Sequence, residues 1–340
     1  MQNKSVAPVT GANQEIGLQD HALIGKAANI PVSAPTPVVS VSPVVLPSPG
    51  RGVDLQMRVS APATGRDLPL LLLSHGQGRS NHLSSLNGYG PLANFWAAHG
   101  FVVIQPTHLS SKTLSLDPDL PGAPLFWRSR VEDMKRILGG LDAIEASVPE
   151  IAGRLDRSRV AVAGHSMGGH TAGMLLGTQL TDPEDGTVVN LAELRIKAGV
   201  LLTPPGNGGA DLSAWANENV PFFRQPSFAE MTTPTLVVVG DEDVSPHLTN
   251  RGADWHADPY SLSPGPKCLL TMFGAGHGLG GVSGYDAGET TDESIERVAA
   301  VQRLTWAYLR TALYPEDPAW PAACAALAEM PTPLGQVECK

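Results

Sequence analysis

Residues 160–169 read Val160-Ala161-Val162-Ala163-Gly164-His165-Ser166-Met167-Gly168-Gly169, and this stretch decides the fold. Four small apolar residues in a row have the composition of a strand buried on both faces. They run into Gly-x-Ser-x-Gly, and the segment that follows, Thr171–Gly177, reads as a helix. Strand, sharp turn and helix together give the pentapeptide its meaning. A serine that presents its hydroxyl at the tip of such a turn takes a strained backbone conformation. Side chains two positions before and two after would collide with the neighbouring strand and helix, so both positions are glycine, Gly164 and Gly168. Amides of the first helical turn point at the same spot, where they can hold an oxyanion. Ser166 is therefore the candidate nucleophile. His165 and His170 beside it are expected to pack or hydrogen-bond, because a residue adjacent in the elbow points away from the hydroxyl.

Outward from this turn, strands and helices alternate. Leu68–Ser74, Phe101–Gln105, Ala198–Thr203, Thr235–Gly240 and Cys268–Phe273 are short apolar runs of the same buried kind. Val38–Leu46 and Val53–Ser60 read as two strands around the turn at 47–52. Val131, Met134, Ile137 or Leu138, Leu141 and Ile144 form one helical stripe. Ile295, Val298, Val301, Leu304 and Tyr308 form another, entered through a Thr290-x-x-Glu293 capping box. The pattern predicts an α/β fold: a mostly parallel central sheet with helices on both faces. About 30 residues separate the strand ending at Thr203 from the one starting at Thr235, too short for a large cap domain. Residues 1–35 lack periodicity and are expected to form a flexible extension. Residues 36–314 are expected to form the catalytic domain, and 315–340 a Pro/Ala-rich tail that wraps a surface.

Ligand sites in such sheets lie at the carboxyl ends of the strands. A serine hydroxyl needs a base, and the base needs a carboxylate to orient it. The run Cys268–Phe273 ends in Gly274-Ala275-Gly276-His277-Gly278, which makes His277 the candidate base. The preceding run ends in Gly240-Asp241-Glu242-Asp243. Asp243, where the loop turns back over the sheet, is assigned as the acid, with Asp241 as its rival and Glu242 facing solvent. Leu70–Leu73 leads into Ser74-His75-Gly76-Gln77-Gly78, the position of an oxyanion loop. The backbone amides of Gln77 and Met167 are the two candidate donors to the substrate oxygen. His75 is expected to brace this loop, and His108 to be structural. Phe126, Trp127, Phe222, Phe223 and Leu279 are candidate cleft walls, each with core packing as the alternative.

Composition narrows the partners. The 340 residues carry 23 Lys+Arg against 33 Asp+Glu, a formal charge of −10. A nucleic-acid partner or a polybasic membrane anchor would need the opposite sign. No apolar run approaches the ~18 residues of a membrane helix, and the segment after Met1 lacks an apolar signal core. The expectation is a soluble protein, cytoplasmic by default, with an unusual export signal or a truncated start as the alternative. Cys268, Cys324 and Cys339 form no zinc pattern, and one bridge is possible, for instance Cys324 with Cys339. No HExxH or phosphate loop occurs, so neither a catalytic metal nor a cofactor is expected.

The order His-Gly-Gln-Gly, Gly-His-Ser-Met-Gly-Gly, Gly-x-x-Asp, Gly-Ala-Gly-His resembles the α/β-hydrolase superfamily over residues 38–314. The Ser-His-Gly-Gln-Gly loop and the stretch Trp127–Asp133 look like the dienelactone-hydrolase-like group. That group includes platelet-activating-factor acetylhydrolases, chlorophyllases and bacterial cutinase-like polyester hydrolases. The elbow is similar to the last two and departs from dienelactone hydrolase, whose nucleophile is cysteine. The resemblance implies a carboxylic ester hydrolase acting on a small-molecule or polymeric ester through an acyl-enzyme. The alternatives are a thioesterase, lactonase or acyltransferase using the same triad, or a non-catalytic binding protein.

Overall fold

The computed structural model describes residues 21–340. Its core is a nine-stranded sheet in the order β1-β2-β4-β3-β5-β8-β9-β10-β11. In chain order the strands are β1 (Val38–Leu46), β2 (Leu55–Pro62), β3 (Leu68–Ser74), β4 (Val102–Pro106), β5 (Leu155–His165), β6 (Gln179–Thr181), β7 (Val188–Asn190), β8 (Ile196–Leu202), β9 (Thr235–Gly240), β10 (Lys267–Met272) and β11 (Gly335–Cys339). Strands β4-β3-β5-β8-β9-β10 pair in parallel, whereas β1-β2, β2-β4 and β10-β11 are antiparallel. A separate small hairpin is formed by β6 and β7. This is the α/β-hydrolase fold.

The helices are α1 (His21–Ile24), α2 (Gly90–Ala98), α3 (Trp127–Gly139), α4 (Leu141–Ser147), α5 (Met167–Leu176), α6 (Ala214–Asn219), α7 (Asp258–Ser261), α8 (Ile295–Leu313) and α9 (Ala319–Ala328). Side chains alternate across a strand, and the central strands show it. Leu70, Leu72, Val160 and Val162 pack with Val131, Met134 and Ile137 of α3 and with α5 on one face. Leu71, Leu73, Ala161 and Ala163 pack with Trp96 of α2 and Val301 and Leu304 of α8 on the other. Two apolar layers on opposite faces explain why these strands read as unbroken apolar runs.

Several local expectations are corrected. The stripe from Val131 to Ile144 belongs to two helices, α3 and α4, which break at Gly140. A Cβ there would lie 2.9 Å from the Leu46 side chain and 3.1 Å from the Arg136 carbonyl oxygen, so a larger residue would push Leu46 aside. The Thr290-x-x-Glu293 box does not open α8. Ser294 caps it instead, its hydroxyl accepting from the Arg297 amide at 3.2 Å. Thr290 donates to the Gly284 carbonyl, and Asp292 is drawn into the loop described below. The tail after Tyr314 forms α9 and then β11, an outermost strand of the sheet. The expected flexibility of 1–35 falls for residues 1–20 outside the described residues. Farther along, Ala27 and Ile30 are buried, and Arg303 of α8 donates to the Ile30 carbonyl at 2.8 Å.

Cys339 pairs with Cys268, not with Cys324. The register of β11 on β10 places Cys268 opposite Cys339, and their Cα atoms are 4.1 Å apart. Cys324 lies on α9 with a free thiol that burial pushes up to about 11. The bridge closes a separation of 71 residues, and loops of that size lose about 4 kcal/mol of unfolded-state freedom. Cys339→Ser, or reduction, is therefore expected to lower the thermal midpoint, measured by unfolding with and without a thiol reductant. An unchanged midpoint would deny the bridge this role.

Candidate active site

β5 ends at His165 and α5 begins at Met167, leaving Ser166 between them at φ 56°, ψ −120°. A non-glycine residue there stores roughly 1–3 kcal/mol of strain. Its surroundings hold it: the Ser166 amide donates to the Leu202 carbonyl at 2.9 Å, and the His170 amide donates to the Ser166 carbonyl at 3.1 Å. The flanking glycines have a direct steric cause. A Cβ on Gly164 would lie 2.0 Å from the Gly168 carbonyl oxygen, and a Cβ on Gly168 would lie 2.0 Å from that of Ser74.

The Asp243 and His277 loops come together backbone to backbone. The Glu242 amide donates to the Ala275 carbonyl at 3.0 Å, and a Cβ on Gly240 would lie 2.1 Å from that same oxygen. Asp241 and Glu242 face solvent while Asp243 turns inward, 1% exposed. His277 bridges the two remaining groups. Its Nε2 lies 2.9 Å from Ser166 Oγ, and its Nδ1 lies 2.9 Å and 3.1 Å from the two Asp243 oxygens. Asp292 steadies the His277 loop, one oxygen accepting from the Gly276 and Gly280 amides at 2.9 Å each. Burial pushes the Asp243 carboxyl up, but bonds from His256 and His277 outweigh it and hold the group well below the usual carboxylate range. His256, on the 3-10 turn Ala253–Ala257, lies 3.2 Å from Asp243. Nothing in the sequence singles it out, because it reaches the acid only through the fold.

Gln77 follows β3 and Met167 opens α5, so both proposed donors flank Ser166 across the β3–β5 pair. Among the described residues neither backbone amide has an acceptor. Two supports hold these segments. The Gly76 amide donates to Tyr89 Oη at 2.9 Å, Tyr89 donates to His165 Nδ1 at 2.8 Å, and His165 Nε2 donates to the His277 carbonyl at 2.8 Å. This chain fixes the His165 tautomer, and burial followed by the nearby His277 lowers its pKa to about 3. The second support is Arg130 of α3, fully buried, with burial lowering its pKa to about 9. Its guanidinium donates to the His75 carbonyl and to Thr171 Oγ1 at 2.9 Å, and Thr171 in turn donates to the Met167 carbonyl at 3.0 Å. One cation thus braces the segments carrying both amides. Tyr89 and Arg130 carried no sequence signal.

His75 and His108 are structural, as expected. His75 donates to the Gly76 carbonyl at 2.7 Å and accepts from the His108 amide at 3.1 Å. His108 accepts from Ser74 Oγ at 2.9 Å and donates to Asp133 at 3.0 Å. Ser74, His108 and Asp133 therefore repeat the serine–histidine–aspartate order, but all three are 0% exposed and no ester can reach them. His170 packs among Phe222 and Phe223, at ring distances of 5.5 and 5.3 Å. Of the candidate walls, Phe222, Phe223 and Leu279 belong to the core. Phe126 lines a cleft of about 430 Å³ that begins at Gln77 and continues along Leu109, Leu116 and Pro124. Trp127 stacks on Phe222 at 5.9 Å. Asp243, His256 and His277 are near enough to one another to suggest a metal cluster. Their facing atoms meet one another, Ser166 and Pro204 in a continuous hydrogen-bonded chain.

No protein-family model matches the chain. Cutinase 1 of Thermobifida cellulosilytica is 30% identical over 184 residues, 53% of this chain and 51% of the relative. A cutinase of Thermobifida fusca strain YX is also 30% identical over 184 residues, 53% of this chain and 44% of the relative. Cutinase est2 of Thermobifida alba is 28% identical over 186 residues, 53% of this chain and 45% of the relative. The chain is homologous to bacterial cutinases. It spans about half the length of the curated relatives it matches.

The Gly168 contact gives a sharp prediction. Gly168→Ala forces a methyl onto the Ser74 carbonyl and is expected to cost ~4 kcal/mol or more in urea unfolding. Gly288→Ala, with nothing within 4 Å of the new Cβ, serves as the control and is expected to unfold like the parent.

Proposed function

We propose that this protein is a serine hydrolase that cleaves carboxylic esters through an acyl-enzyme. The observation that carries the reading is His277, hydrogen-bonded to Ser166 Oγ on one ring nitrogen and to buried Asp243 on the other. Ser166 Oγ attacks the ester carbonyl while His277 Nε2 takes its proton. The amides of Gln77 and Met167 hold the oxyanion as negative charge develops there. His277 returns the proton to the departing alcohol, and the acyl group stays on Ser166. Water then attacks the acyl carbonyl, giving a proton to His277, which passes it to Ser166 Oγ as the acid product leaves. Asp243 holds the His277 tautomer and offsets the transient imidazolium charge.

Residues 203–234 carry only the short α6 and 3-10 turns, and a cleft of about 430 Å³ lined by Leu116 and Phe126 reaches Gln77. Relatives named cutinases support a polymeric or bulky ester over a small lactone, nearest the polyester-hydrolase members of the dienelactone-hydrolase-like group. The Cys268–Cys339 bridge supports an oxidising compartment over the reducing cytoplasm.

Ser166→Ala is expected to lower kcat for a 4-nitrophenyl ester by about 10⁴-fold or more with folding intact. Full activity in that variant would reject the mechanism. Asp243→Asn is expected to cost about 10³–10⁴-fold in kcat, while Asp241→Asn stays within about twofold; the reverse result would move the acid. Turnover across matched ester, thioester and lactone substrates separates an esterase from the other acyl-transfer reactions.

A further inference from the structure

The acyl-transfer steps leave His256 without a part. It is 1% exposed, and both its ring nitrogens meet acceptors. Nδ1 lies 2.8 Å from the Pro204 carbonyl oxygen, which can only accept, so Nδ1 carries a proton. Nε2 lies 3.2 Å from an Asp243 oxygen and 3.4 Å from Ser245 Oγ. Without a proton there, its lone pair would face an ionised carboxylate in a site closed to water.

Asp243 states the need from the other side. A buried carboxylate requires a counter-charge as well as hydrogen bonds. Its other side-chain partner is His277, whose Nε2 must accept the Ser166 proton at rest, so His277 is neutral in that state. No other cation among the described residues forms an ion pair with Asp243. The remaining charged groups nearby are already committed or solvated. Asp258, two residues along, and Asp254 are both taken by Arg251. Asp241 and Glu242 face solvent, and His247, exposed beside Trp215, has its pKa lowered by burial and then by His277 and is a further titratable ring near the group. His165 accepts on Nδ1 and donates on Nε2, the pattern of a neutral ring.

We propose that His256 is a positioning residue, an imidazolium paired with Asp243 that keeps the buried acid ionised and opposes protonation of His277 in the resting enzyme. The inference rests on reading Asp243 and His277 as acid and base. The two imidazole rings are 5.5 Å apart, so a cation on one disfavours a cation on the other. The consequence has a definite sign. Neutralising His256 removes a repelling positive charge, His277 then takes up a proton more easily, and the acid limb of kcat/KM moves to higher pH.

Two measurements test this in the full chain. In ¹⁵N-resolved NMR of the parent protein at pH 7, His256 is expected to show both ring nitrogens protonated. In His256→Gln, whose amide can still donate to Asp243 without charge, the acid limb for a 4-nitrophenyl ester is expected to rise by about one pH unit. Activity at pH 5.5 then falls about fivefold or more beyond any loss at pH 8. A merely structural role would lower the whole profile without moving its limb. A single proton on His256 at pH 7, or an unmoved limb in the folded variant, overturns the proposal. If His256→Gln does not fold, the NMR result decides alone. Failure of the triad reading is separately visible: Ser166→Ala would stay active, whatever the state of His256.

Discussion

Two backbones meet without side chains between them where Gly168 crosses the end of β3. The Ser74 carbonyl oxygen sits where a Cβ on Gly168 would be, at 2.0 Å, so α5 can settle onto the sheet only with glycine at this position. The β3–β5 register, with Ser74 opposite Gly164, brings both chains to the same level as they leave the sheet. The Gln77 loop and Ser166 thereby emerge side by side. The same device recurs where Gly240 faces the Ala275 carbonyl, which joins the Asp243 loop to the His277 loop. Glycine at these crossings trades local strand and helix stability for close approach of the backbone.

Around that crossing the interior is unusually polar for a charge-poor chain. Arg51, Arg130, Asp133, His75, His108 and His165 are all buried and hydrogen-bonded, Arg51 donating to Asp133 at 2.7 Å and to the Thr107 carbonyl at 2.8 Å. Their partners fix the tautomers of the neutral histidines, so a ring can serve as a rigid spacer with one donating and one accepting end. Tyr89, itself at φ 59°, is held by the Ser283 carbonyl and links the Gly76 loop to the His277 loop through His165. Removing one member of such a network leaves an unmet buried polar group, which costs more than the bond itself gains.

The central strands and the order of Ser166, Asp243 and His277 were legible because both depend on local pattern. A strand covered on two faces shows as an apolar run, and the elbow glycines are imposed by sterics within five residues. What escaped depends on distance in the fold. Tyr89, Arg130 and His256 come from segments far from Ser166 in sequence and look ordinary there. Strand β11 was hidden because its residues, Gly335-Gln336-Val337-Glu338-Cys339, lack the apolar run of a central strand. The cysteine pairing followed the same rule: strand register, not proximity in sequence, chose Cys268 for Cys339. Thr290 and Glu293 misled for another reason, since a capping pattern says nothing about whether a neighbouring loop has a stronger use for that segment.

The outermost strands, β1 and β11, bear on how the protein behaves at high concentration. An exposed strand with free amides and carbonyls invites a second molecule to extend the sheet, and natural proteins blunt such borders with proline, irregularity and charge. Here β1 carries Pro43 within a register shift between Val41 and Val44. On the other side β11 turns Gln336 and Glu338 outward and ends beside Lys340. Neither border offers a long, flat, apolar template, so growth by strand addition is disfavoured at both ends of this sheet.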